Sequence, residues 1–346
     1  MAYTTINKST DYFNTKLYTG DGSSSRNITG VGFQPDLLWI KNRNATQYHF
    51  LFDAVRGVSK AIFSNVSAAE STQASTQTAF LSDGFTVGND AASNGNGNGI
   101  ASWNWKAGTT GSGTTGQGKT YNYSVNTTSG FSIMTYQGSG VTNHKIPHHL
   151  GVKPMVKIVK STGHVENWTC YWDVFQNSAS YIQLNTTTAK QSDSGKWAGY
   201  DTSTLMNLGS DDDTNEASAY VNFVAYCFAE KTGYNKFGSY VGNGSNDGTF
   251  IYTGFKPAWI MIKREDGADT WTIYDNKRIG FNVNNNPLFA NDTTVESTDD
   301  DLDIVSNGFK IRRNSGRINT NGATFIYMAF AAAPLVGTND VPATAR

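Results

Sequence analysis

A chain of 346 residues with 27 Lys and Arg against 28 Asp and Glu has a formal net charge of −1 and no basic stripe, which excludes nucleic acid and anionic membrane surfaces as electrostatic partners. With 35 Gly, 13% aromatic and only 16% charged residues, the composition is that of a polar, turn-rich β protein and excludes long helices. No run approaches the roughly 18 apolar residues of a membrane helix, and Met1-Ala2-Tyr3-Thr4-Thr5-Ile6-Asn7 lacks the charged and apolar regions of a secretory leader, so the expectation is a soluble chain made in a cytoplasm.

In chain order, the first predicted elements are Tyr18-Thr19-Gly20-Asp21-Gly22, the turn Gly32-Phe33-Gln34-Pro35, and the strands Asp36–Lys41 and His49–Asp53. Asp83-Gly84-Phe85-Thr86-Val87 supplies a turn and a strand, and Ile100–Trp105 closes a first unit. Ser67-Ala68-Ala69-Glu70-Ser71 carries a Ser start followed by Ala and Glu and reads as a short helical turn. The same pattern returns as Tyr240-Val241-Gly242-Asn243-Gly244, Gly254-Phe255-Lys256-Pro257 and Trp259–Lys263, and more loosely as Tyr136-Gln137-Gly138-Ser139-Gly140, Gly151-Val152-Lys153-Pro154 and Val156–Lys160. An acidic residue follows each of these prolines at a near-constant distance, at Asp53, Asp173 and Asp275. Closing strands recur at Tyr220–Phe228 and Thr324–Phe330.

The prediction is therefore an all-β protein of three related sandwich or jelly-roll-like units, from an internal repeat of roughly 95 residues. The units span 1–108, 120–232 and 233–334. Residues 109–119, rich in Gly and Thr, read as a flexible linker, and 335–346 as an extended C-terminal tail. The short connection Glu230-Lys231-Thr232-Gly233 implies that the second and third units pack together or share a sheet. Residues common to every copy serve a scaffold, because a catalytic site is needed once. The prediction is accordingly a non-enzymatic protein.

Several motifs offer chemistry, each beside a plainer reading. Gly113–Thr120 approximates a phosphate-binding loop, but the following Tyr121–Asn126 reads as strand, whereas such a loop needs a helix N-terminus. His144, His148 and His149 lie in one segment of the middle copy, yet nothing completes a metal-ligand spacing, and the plain reading is a polar loop. Asp211–Glu216 begins like a calcium loop but places Glu216 where the turn needs glycine. A solvated acidic loop is the default there and at Asp299–Asp303, with a casual Ca²⁺ site as the alternative. Asp53, Asp173 and Asp275 resemble glycosidase carboxylates only superficially, and their shared position points to strand-end caps. Cys170 and Cys227 read as buried thiols, with one intra-domain disulfide as the alternative. Trp197 and Tyr200, in a Gly/Ser-rich loop, are either packed under that loop or form an aromatic platform for sugar C–H faces. No cofactor is predicted. The candidate contact residues for a glycan or partner are Trp197, Tyr200, His144, His148 and His149.

Gly32–Lys41, Phe52–Gly57, Ser82–Phe85, Trp103–Gly108, Tyr226–Glu230 and Phe237–Tyr240 together resemble the tail-fibre-type virion structural proteins of tailed bacteriophages, especially marine ones, over nearly the whole chain. The resemblance implies a virion component synthesised in the host cytoplasm. Its expected partners are other virion proteins, further copies of itself and a host surface glycan. It carries over no catalytic residues.

Overall fold

The computed structural model describes residues 4–217, 222–284, 286–299 and 301–336, and among them the regular secondary structure is almost wholly antiparallel β-sheet. Short apolar and aromatic runs bounded by Gly, Asn and Pro cannot complete helical turns, and they pair instead as strands that bury both faces.

Each unit is a large sheet covered on one face by a small one. In the first, the order is Phe13–Thr19, Gly99–Trp105, Leu37–Asn42, Phe50–Asp53, Lys60–Phe63 and Ser71–Thr72, with Arg26–Thr29, Gly84–Val87 and Gln77–Leu81 as the small sheet. The third has Asn235–Val241, Thr324–Pro334, Phe255–Arg264, Thr272–Asp275 and Leu288–Phe289 over Phe250–Tyr252, Gly308–Ile311 and Leu302–Val305. In the second, Phe131–Gln137, Asn222–Phe228, Val156–Ser161, Thr169–Trp172, Ser180–Gln183 and Gln191–Ser192 follow the same order. Two strands are added in front, Thr109–Thr114 and Thr120–Asn126, and the small sheet is His144–Pro147 with Leu205–Leu208. Residues 109–119 are thus not a linker. Thr109–Thr114 pairs along its length with Thr120–Asn126 through a tight turn in which Thr115 N donates to Lys119 O at 2.8 Å. Its glycines suit the strand because the Tyr123 and Tyr121 rings lie across Gly111 and Gly113.

The Tyr-x-Gly-x-Gly strings clamp a helical turn in each unit, at Ala91–Asn94, Asp212–Asn215 and Gly316–Asn319. Tyr18, Tyr136 and Tyr240 each donate a phenol proton at 2.7 Å to a carbonyl of that turn. The buried Asn94, Asn215 and Asn319 side chains accept from the backbone of Asp21, Ser139 and Asn243. Gly20, Gly138 and Gly242 are required because an added Cβ would lie 2.1, 2.0 and 2.3 Å from a backbone carbonyl oxygen of the turn. The acidic residues cap strand ends: Asp53 accepts from Arg56 N, and Asp275 from Lys277 N and Arg278 N. Asp173 instead opens the 3-10 turn Asp173–Phe175.

The open faces of the three large sheets pack against one another around a shared aromatic core containing Trp39, Trp103, Trp105, Trp168, Trp172, Trp259, Trp271, Phe228 and Phe330. Corresponding contacts close in a ring. Glu70 N donates to Thr162 O at 3.0 Å, Lys190 N to Glu265 O at 2.7 Å, and Glu296 N to Arg43 O at 2.9 Å, so each unit docks on the next. On the inner side, Trp168 Nε1 donates to Phe63 O at 2.8 Å and Trp271 Nε1 to Gln183 O at 2.9 Å. His49 holds the third such position, with the Phe289 carbonyl as its backbone neighbour, although its Nε2 makes no hydrogen bond of normal geometry. The backbone hydrogen bond that docks Glu70 on the second unit explains why 67–71 holds no helical turn, contrary to expectation. Among the described residues the second and third units share no sheet. They meet through Phe228 and Phe330, with ring centroids 5.7 Å apart, and through Asn235 Nδ2, which donates to Ala229 O at 3.1 Å.

Residues 337–346 of the expected tail, and Tyr220 and Val221 of the expected closing strand, lie outside the described residues.

Candidate functional site

Two kinds of chemistry-bearing groups emerge, those common to the units and those peculiar to the middle one. The common groups hold the scaffold. Lys41, Lys160 and Lys263 are fully buried, and burial pushes each ammonium down to about 8. Their donors go to backbone carbonyls. Lys41 Nζ reaches Gln47 O at 2.9 Å and, across the unit boundary, Thr293 O at 2.8 Å. Lys263 Nζ reaches Arg264 O at 2.7 Å and Thr187 O at 3.2 Å, again across a boundary.

Asp53 and Asp275 serve the same end. Tyr226 donates to Asp53 Oδ2 at 2.8 Å and Trp103 Nε1 to Asp275 Oδ2 at 3.0 Å, each from a neighbouring unit. Both carboxylates are fully buried against an arginine, Arg56 and Arg278, at 2.6 Å. Burial opposes the charge of Asp275, but the Arg278 guanidinium outweighs it and keeps the carboxyl below its usual range. The third corresponding residue of the closing strands is Met328, which has no proton to donate. The carboxylates are wholly engaged in these contacts and do not form a facing pair open to a sugar.

The middle unit differs inside its own sandwich. Where the first and third place Leu38 and Ile260, it has Lys157, whose Nζ lies 2.8 Å from Asp201 Oδ1 and 4.0 Å from the centroid of the Trp197 ring. Trp197 is only 2% exposed and donates from Nε1 to Ser180 O at 3.1 Å, so it packs under its loop and roofs the lysine rather than forming a platform. Tyr200 is 47% exposed. Lys153 lies 4.9 Å from its ring centroid, and its hydroxyl donates to Gln176 O at 2.9 Å.

The three histidines do not converge. His144 is buried, with Nδ1 2.8 Å from Asn215 Oδ1 and Nε2 3.1 Å from Thr115 Oγ1. His148 is also buried. Its Nδ1 accepts from Leu150 N at 3.2 Å, which leaves Nε2 to donate to Thr202 O at 3.1 Å and fixes the neutral tautomer. Burial pushes both imidazoles below their usual range. His149 alone is partly open. It adopts a left-handed φ of 59°, stacks on Tyr123 at 3.7 Å, and brings Nε2 to 3.3 Å from the Tyr121 hydroxyl. Of the five contact candidates, only Tyr200 and His149 therefore present a surface, and Trp197, His144 and His148 are corrected to interior residues.

The acidic loops are filled by cationic side chains. Lys196 Nζ lies 2.6 Å from Asp211 Oδ1 and 2.5 Å from Asp213 Oδ2, while Asp211 caps its helical turn. Arg317 Nη2 lies 2.6 Å from Asp299 and 2.8 Å from Asp301, and Arg313 pairs with Asp299. Among the described residues no three His, Cys, Asp or Glu side chains converge as metal ligands. Cys170 and Cys227 are both buried free thiols. The Gly113–Thr120 string turns between two strands, without the helix that a phosphate loop requires.

The cavities follow this division. At the meeting of the three units is an apolar void of about 20 Å³, bordered by Trp39, Trp105, Trp168, Tyr226, Trp259 and Met328. A polar cleft of about 220 Å³ separates the first unit's Val55, Arg56 and Glu70 from Thr120, Asn122, Thr135 and Asn222 of the second. A second cleft of about 350 Å³ runs beside it, along Ala54, Val55, Thr110, Ser112 and Asn122. Hydroxyls and amides dominate both linings.

Fold and site together define an all-β protein of three sandwiches joined around one aromatic core, whose shared polar residues hold the units in place. The chain belongs to the family described as the domain of unknown function DUF7483, whose model matches residues 8–334 and so takes in all three units. No curated protein matches the chain. Sequence reasoning missed the clamped Asn94, Asn215 and Asn319, although an asparagine before each closing strand was a usable signal. It also missed the Lys157–Asp201 pair, which a lysine at a Leu/Ile position of the repeat could have revealed.

Proposed function

We propose that the protein is a non-enzymatic structural component of a tailed-bacteriophage virion, a tail fibre or host-attachment part that works as a homo-oligomer among other virion proteins. One observation carries the scaffold reading: the residues that recur between units, from the tyrosine clamps of all three to Lys41 and Lys263 and to Asp53 and Asp275 of the first and third, hold turns or bridge units. The virion assignment comes from the tail-fibre resemblance of the sequence. Host contact falls to the polar surfaces of the middle unit, where Tyr200 and His149 expose rings and the two clefts offer hydroxyls and amides to a neutral glycan. Such contacts are weak singly and add by avidity in an oligomer. We further propose that the three units descend from one ancestral copy, in keeping with their common strand order.

The test is negative-stain microscopy of virions labelled with an antibody to this chain. Label on the tail is expected. Label on the capsid would replace the tail assignment with head decoration, and unlabelled particles would refute a virion role. A glycan array reads the host-contact part separately. Shortening of host polysaccharide on incubation with the protein would overturn the non-enzymatic reading.

A further inference from the structure

We propose that strand Thr109–Thr114 is an isologous docking edge at which a second copy of this chain adds the same strand antiparallel, centred on Ser112, to make one sheet continuous across a twofold dimer. The inference deepens the homo-oligomer part of the reading above and is independent of its virion part.

An unpaired sheet edge is a template for another strand, and proteins guard such edges with lysine, proline or very short strands. Among the described residues, the large sheets follow that rule at every edge but one. The outer strands Phe13–Thr19 and Asn235–Val241 carry Lys16 and Lys236, while Ser71–Thr72, Gln191–Ser192 and Leu288–Phe289 are two residues long. Thr109–Thr114 has six residues without charge or proline, and it is an addition that the other two units lack.

The direction of its free groups follows from the hairpin. Thr115 donates to Lys119 O, and the register pairs Thr114 with Thr120, so hydrogen-bonded pairs fall on 109, 111, 113 and 115. The N–H and C=O groups of Thr110, Ser112 and Thr114 therefore point away from Thr120–Asn126, and these three residues are exposed. Antiparallel pairing about Ser112 sets Ser112 against Ser112, Thr110 against Thr114 and Gly111 against Gly113. The sequence Thr109-Thr110-Gly111-Ser112-Gly113-Thr114-Thr115 reads identically in both directions, so this register meets Thr with Thr and Gly with Gly throughout. Threonine pairs are favourable cross-strand neighbours, and paired glycines bring no side chains into conflict. The two copies then satisfy each other's free donors and acceptors in the isologous arrangement typical of homodimers.

Sedimentation of the full chain over a concentration series, with hydrogen exchange, tests the proposal. A monomer–dimer equilibrium is expected, with the amides of Thr110, Ser112 and Thr114 gaining protection as dimer forms while Gly111 and Gly113 are already protected in the monomer. Thr110→Lys/Thr114→Lys sets like charges opposite each other twice and should weaken the dimer about tenfold or more. Thr110→Lys/Thr114→Glu sets opposite charges there and should restore it. All four substituted positions in the dimer are exposed on the free edge, and an unchanged thermal midpoint of the dilute monomer shows that the fold is intact. Monomer at the highest soluble concentration overturns the proposal. So does a dimer that ignores both double variants or leaves the three amides unprotected, although that result keeps a homo-oligomer built elsewhere.

Discussion

Trp103 and Trp259 offer a controlled comparison at the centre of the molecule. Both rings are at most 1% exposed, they lie 6.4 Å apart by centroid, and both line the junction of the first and third units. They differ in one atom's surroundings. Trp103 Nε1 donates to the buried Asp275 carboxylate at 3.0 Å, whereas Trp259 Nε1 is buried without a partner among the described residues. Replacing either by Phe removes a similar volume, which costs about 1–2 kcal/mol in a close-packed core. For Trp103→Phe, loss of a hydrogen bond to a charged group adds about 1.5–3 kcal/mol, giving roughly 3–4 kcal/mol in all. For Trp259→Phe, removal of an unsatisfied buried donor returns about 1 kcal/mol, leaving a net cost near or below about 1 kcal/mol. Urea unfolding followed by tryptophan fluorescence and by circular dichroism measures both. Equal destabilisation by the two variants would refute the argument, because it would mean that the Trp103–Asp275 contact across units contributes nothing beyond ring packing.

Stability should rise as pH passes from about 7.5 to 9. Lys41, Lys160 and Lys263 titrate near 8 in the fold but near 10.5 when unfolded, so over that range the unfolded chain holds protons that the folded one has lost, at up to about 1.4 kcal/mol per pH unit for each lysine. Above about 9 the buried Cys170 and Cys227, whose thiols burial pushes up, act in the opposite sense and flatten the rise. A urea midpoint that falls between pH 7.5 and 9 would contradict this, and Lys41→Met should reduce the slope. Gly151→Ala, at a φ of 74° with open space around it, should cost about 1 kcal/mol in thermal unfolding, whereas Gly138→Ala, with Glu216 O only 2.0 Å from the new Cβ, should lower the midpoint far more. Asp201→Ala should destabilise by about 3–5 kcal/mol because it strands Lys157, while Lys157→Leu/Asp201→Ala should recover most of that loss in the same assay.

Much of the architecture was legible because its signals are local. Runs such as Leu38-Trp39-Ile40 are short, apolar and fenced by turn residues, and they read as buried strands without further information. The caps at Asp53 and Asp275 were legible for the same reason, since a carboxylate bonding the backbone a few residues ahead is a short-range event. Thr109–Thr114 was misread because a Gly/Thr string has the composition of a linker, and only its pairing with Tyr121 and Tyr123, which face Gly113 and Gly111 across the hairpin, makes it a strand. Trp197 was ambiguous because its loop is polar on both sides, and the group that buries it, Lys157, lies forty residues earlier in the sequence.

The contacts between units were the least legible, and the reason is physical. A residue facing its own small sheet and one facing a neighbouring unit alternate along the same strand, both are apolar, and nothing in a period of two says which cover lies over which face. In strand Leu37–Asn42, Leu38 and Ile40 belong to the first unit's own core, whereas Leu37 and Trp39 belong to the common one. In Phe255–Arg264, Ile260 and Ile262 face inward within the unit, whereas Trp259 and Met261 face the others. The distinguishing mark is the tryptophan. A single sandwich is narrow enough to fill with Ile, Leu and Phe, but where three sheets meet the gap is wider, and large rings such as Trp39, Trp103, Trp105 and Trp259 are needed to close it to a void of about 20 Å³. The ring of backbone bonds from Glu70, Lys190 and Glu296 then ties each unit to the next. Loss of any one unit would expose the tryptophan faces of the other two, so the three sandwiches form a single cooperative body.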